Sequence, residues 1–144
     1  MENGHTDRST EQAGGESGNG RSVSSVEQLK DRTKNFAIEV IKVVQSMPKD
    51  RTSEILAKQL VRAATSVGAN YRSACRARSK ADFISKISIV EEEADEVQYW
   101  MELVMSLNVL PDQQLARLYR EASELTAIFT ASRQTAKRNS RRWG

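Results

Sequence analysis

The side chains best suited to chemistry in this sequence are basic, and they recur at helical spacing. From Leu60, advancing about 100° per residue places Leu56, Ala63, Val67, Tyr71 and Ala74 on one side. Lys58, Arg62, Arg72 and Arg76 fall on the opposite side, with Thr65 and Ala69 between them. Arg78 and Lys80 carry the strip into the next turn. Such a row offers point charges and forked donors to phosphate oxygens without reading base sequence. These six cations are the candidate nucleic-acid-binding set, for RNA or DNA alike. The alternative is that Arg62, Arg72 or Arg76 pairs with the acids of the later run Glu91–Glu96, which would leave no free strip.

Other chemistries find little material. The one histidine, His5, lies in a polar leader, so Ser/His/Asp and Cys/His constellations lack their base. Gly14, Gly15, Gly18 and Gly20 precede no phosphate-loop helix. The chain has no Glu-x-x-His pair of the kind that binds metals inside helical bundles. Of the acidic run, Glu93 leans toward the apolar seam, Glu91, Glu92 and Asp95 point outward, and Glu96 sits on a second stripe. Cys75 borders the apolar face and reads as a small buried thiol that forms no intrachain disulfide. A protein without enzymatic activity, cofactor or metal is the expectation.

The elements that would hold the basic strip are helices. Val26, Leu29, Thr33, Phe36, Val40, Val43 and Met47 alternate steps of three and four, which predicts a first helix capped by Ser25 and closed by Pro48. The second helix is expected over 54–77, capped by Thr52 or Ser53. Its Ala63, Ala64, Gly68 and Ala74 invite close approach of a neighbour, and Asn70 needs a partner at the core edge. Ser79 and Asp82 form a capping box for a third helix over 80–107. Phe83, Ile87, Val90, Ala94, Val97, Met101 and Val104 make its core seam. A second stripe of Ile89, Glu96, Trp100, Leu103 and Leu107 lies roughly 100° away, an apolar surplus that predicts contact with another subunit through Ile89, Trp100, Leu103 and Leu107. Pro111 opens a fourth helix with Leu115, Leu118, Ala122, Leu125 and Phe129, expected to fade near Ser132.

Four helices with short connections predict an all-α, antiparallel, up-down-up-down four-helix bundle over 25–132. A disordered leader at 1–24 and a basic, frayed tail at 133–144 flank it. The 144 residues suffice for one domain. The net charge of +3 arises from the tail, since the body carries as many acids as bases. With no run long enough to span a bilayer and no apolar signal core, the expected location is the cytoplasm.

Arg62–Asn70, Ser79–Phe83 and Ile89–Glu96 together resemble a bacterial four-helix-bundle family, first named for open reading frames in intervening sequences of 23S ribosomal RNA genes. The resemblance spans roughly 29–131. It implies an antiparallel bundle assembled as a ring-shaped homopentamer. It also implies kinship with the accessory variability protein of diversity-generating retroelements, which looks like the same fold and binds nucleic acid and a reverse transcriptase. What the resemblance implies is a fold, and a fold is not a reaction.

Overall fold

A computed structural model describes residues 24–142. The leader expected over 1–24 lies, Ser24 apart, outside the described residues, as do His5 and Trp143. Four helices follow one another: α1 (Ser25–Val44), α2 (Arg51–Ala74), α3 (Lys80–Ser106) and α4 (Asp112–Arg142). No strand occurs among the described residues. Each helix packs on its chain neighbours, and α1 closes the ring against α4.

Side-chain bonds between helices give the directions. Along α3, Glu91 accepts from Thr130 (2.9 Å), Gln98 from Thr126 (3.2 Å) and Glu102 from Tyr119 (2.7 Å), so α4 runs backward as α3 runs forward. Across the closing seam, Arg32 donates to Glu121 and Glu124 at 2.6 Å each, while Arg117 donates to Glu39 at 3.0 Å. The bundle is therefore antiparallel, up-down-up-down. One pole gathers the start of α1, the α2–α3 connection and the end of α4; the other holds the remaining two connections.

The core matches the spacing. Leu56, Leu60, Ala63, Val67, Tyr71 and Ala74 of α2 are all buried, as are Ile87, Val90, Ala94, Val97, Met101 and Val104 of α3. Gly68 lets α1 come close. A Cβ added there would stand 3.1 Å from Oγ1 of Thr33, a fully buried side chain whose hydroxyl donates to Leu29 O at 2.8 Å and Lys30 O at 3.1 Å. Asn70 finds its partner locally, donating to Ser66 O at 2.8 Å.

Helix ends move in physically explicable ways. α1 is capped by Ser24 rather than Ser25, its Oγ accepting Glu27 N–H at 3.2 Å. α2 starts earlier than expected because Asp50, not Thr52 or Ser53, is the cap: its carboxylate takes both the N–H (2.9 Å) and the hydroxyl (2.8 Å) of Ser53. α2 also ends at Ala74 rather than Ala77, with tighter turns at Arg76 and Ala77. Ser79 caps α3 as expected, accepting Asp82 N–H at 3.1 Å, while Asp82 reaches the N–H of Arg78 rather than of Ser79 (3.1 Å).

The largest departure is α4, which continues well past Ser132 to Arg142. The three-four spacing persists there through Phe129, Ser132, Ala136 and Asn139, but the large apolar side chains stop. Ala, Arg, Lys and Gln sustain a helix, and cations in its last turn complement the dipole. Val26, Leu29 and Phe83, expected in the core, face this stretch and are exposed or half-buried. Small side chains on α4 leave them uncovered. No helix among the described residues is long and apolar enough to cross a membrane.

Candidate nucleic-acid interface

The basic set divides in two. Lys58 and Arg62 sit in the N-terminal half of α2, and both are exposed. Arg62 is engaged: its Nε donates to Gln59 Oε1 at 3.0 Å, and its guanidinium pairs with Glu93 at 3.4 Å and with Glu96. Glu96 also accepts Trp100 Nε1–H at 3.0 Å, closing a small network over the α2/α3 seam. Burial, followed by the nearby charge of Glu96, pushes the Glu93 carboxyl above the ordinary carboxylate range.

Arg72, Arg76, Arg78 and Lys80 behave differently. All are exposed, and none forms an ion pair among the described residues. Arg72 borders a groove between α1 and α2 that also holds Glu27 and Asp31. Arg76 and Arg78 stand in the α2–α3 connection beyond the helix, so the strip does not stay on one helix face; it turns onto the pole. Of the pairings with third-helix acids left open by the sequence, the one the structure makes is that of Arg62.

The extension of α4 brings further cations to that same pole. Ser132, Ala136 and Asn139 share a cavity with Arg78, Ser79 and Lys80, which places α4's last turns beside the α2–α3 connection. Lys137, Arg138, Arg141 and Arg142 ride on those turns, exposed and without ion pairs among the described residues. Arg133, lower on α4, is spent on Glu91. That bond outweighs the opposing effect of the carboxylate's partial burial and holds Glu91 below its usual range. Glu91 therefore sits half-buried in the α3/α4 seam instead of pointing outward. The uninterrupted three-four spacing beyond Phe129 is the signal that could have identified the α4 cations as part of the site.

The expected subunit-contact residues also separate. Trp100 and Leu103 are half-buried against the chain's own core, whereas Ile89 and Leu107 stand exposed at 40% and 55%. Ile55, exposed at 56%, lies seven residues before Arg62 and so on the same face of α2. Among the described residues no three His, Cys, Asp or Glu side chains converge as a metal ligand set would.

Comparison with known proteins gives the lineage. A crystal structure from Bacteroides thetaiotaomicron VPI-5482, a protein with unknown function from the S23 ribosomal protein family, is similar with a TM-score of 0.70 and 28% identity. The similarity covers 76% of this chain and 97% of the other. No curated protein matches the chain. The 23S rRNA-intervening sequence protein family matches residues 27–131, through all four helices and both halves of the α2–α3 core, and the chain belongs to that family.

Proposed function

We propose that this protein is a non-enzymatic, homo-oligomeric binder of RNA or DNA, or an adaptor to a nucleic-acid enzyme, working through its cationic pole. The observation that carries the reading is the convergence of Arg76, Arg78 and Lys80 with Lys137, Arg138, Arg141 and Arg142 at one end of the bundle, none of them in an ion pair among the described residues. Cations neutralised by acids have little left for phosphate; these keep their charge for a partner. Self-association is supported by the apolar residues at the opposite end of the α2/α3 face, Ile55 and Leu107, flanking the half-buried Trp100 and Leu103. In a closed ring, rotational symmetry would set every cationic pole on the same rim. The homopentamer implied by the family resemblance is of this kind.

The test is a titration of labelled RNA and DNA at several salt concentrations. Replacing Arg138, Arg141 and Arg142 together by Ala should weaken binding by about tenfold or more, and replacing Arg76, Arg78 and Lys80 should do the same. Arg62→Ala should change affinity by less than about twofold, because that guanidinium is already paired. No binding at low salt would leave an assembly scaffold without nucleic-acid contact.

A further inference from the structure

The cationic pole is not a plain charged surface; beside Arg78 and Lys80 it holds a cavity of about 670 Å3. Val26 and Leu29 of α1, Ala74 at the end of α2, Ala77 of the α2–α3 connection and Phe83 of α3 supply apolar walls. Ser132 and Asn139 of α4 and Tyr71 of α2 add hydrogen-bonding groups, and Arg78 and Lys80 stand at the border. The cavity exists because α4 turns small side chains toward positions where α1 and α3 carry core-type residues. Its volume falls in the range of small-molecule sites, and its lining combines apolar side chains with polar and cationic ones in equal number.

Resting on the nucleic-acid reading above, we infer that this cavity receives one unpaired base of a single-stranded nucleic acid, while Arg78 and Lys80 at its border hold the adjoining phosphates. Charge complementarity selects the occupant. An apolar ligand alone would gain nothing from Arg78 and Lys80, and a phosphate alone would gain nothing from Leu29 and Phe83. A flat π-face joined to a phosphodiester uses both. The half-buried Phe83 ring offers a stacking surface, and the Asn139 amide offers both a donor and an acceptor for a base edge. A duplex presents no free base to such a cavity unless one is flipped out, which costs free energy that a single strand does not spend.

The inference predicts a preference for single strands over duplex that charge alone would not produce. With the full chain, a fluorescein-labelled single-stranded 20-mer and the duplex of the same sequence are compared by anisotropy at fixed salt. The single strand should bind about tenfold tighter or better, as expected for one stacked base. Ala136→Phe, which fills the cavity without altering charge, should bring single-strand affinity down to the duplex value and leave duplex affinity within about twofold. Circular dichroism checks that the variant folds; should it not, Asn139→Leu serves the same purpose on the exposed last turns of α4. Equal affinity for the two forms, or a single-strand preference that survives cavity filling, overturns the base-binding inference while the cationic pole stands. Failure of both nucleic acids to bind at low salt removes the underlying reading itself.

Discussion

Glu93 is a carboxylate whose environment disfavours its charge. Its carboxyl is raised by burial and by Glu96, with Arg62 offsetting only part of the effect. A raised acid binds its proton more tightly in the folded than in the unfolded chain, so its cost is full above the raised value. The cost disappears as pH falls below the unfolded value of 4.5. Glu93→Gln should therefore be more stable than the parent in urea melts at pH 7, with the gap closing toward pH 4.5. Asp50, Asp82 and Glu91 have the opposite sign: hydrogen bonds hold them low, so their stabilisation is present at neutral pH and is lost as acid protonates them. Arg62 is a little under half exposed, and surface pairs of that kind contribute less than about 1 kcal/mol. Arg62→Ala should accordingly lower stability only slightly in the same melts.

Helices α1 and α2 meet at a point set by two residues. Gly68 would ordinarily cost about 1 kcal/mol against Ala inside a helix. Here an alanine Cβ would press on Thr33 Oγ1 at 3.1 Å, and Thr33 cannot yield, being fully buried and bonded twice to its own helix. Gly68→Ala should lower the melting temperature of the parent. In a Thr33→Ala background, where the obstructing hydroxyl is gone, it should raise it; the double-mutant cycle measures the contact. α4 offers the complementary lesson. Its extension is held by Arg133 on Glu91 and by helix-forming residues, not by a filled core. The helix was legible in the spacing; its length was not, since Ser132, Ala136 and Asn139 carry none of the hydrophobicity by which a core seam is recognised.

Across the molecule, two surfaces occupy opposite ends. α3 has 27 residues, so Lys80 at the cationic pole and Leu107 lie about 40 Å apart. Under the proposed function, that separation would keep self-association at one end and phosphate contacts at the other. Ile55→Glu with Leu107→Glu should lower the mass seen by light scattering while helicity stays unchanged. Parent affinity for RNA or DNA should fall linearly in log K against log salt. The slope should become shallower when Arg138, Arg141 and Arg142 are replaced, since fewer counterions are then released.

The sequence by itself determined the bundle, because the three-four recurrence of apolar residues leaves each helix a single face to bury, and close connections leave neighbours little choice but to run antiparallel. It also marked Gly68 as a close approach and the cations from Lys58 to Lys80 as one candidate strip, leaving open whether Arg62, Arg72 or Arg76 pairs with the acids of α3. Only the tertiary structure decided which cations stay free. Pairing depends on what stands across a seam: Arg62 meets Glu93 and Glu96, Arg133 meets Glu91, and the cations of α4's last turns form no ion pair among the described residues. The cavity likewise belongs to no one helix, since it arises where small residues of α4 face large ones of α1 and α3, far apart in the chain.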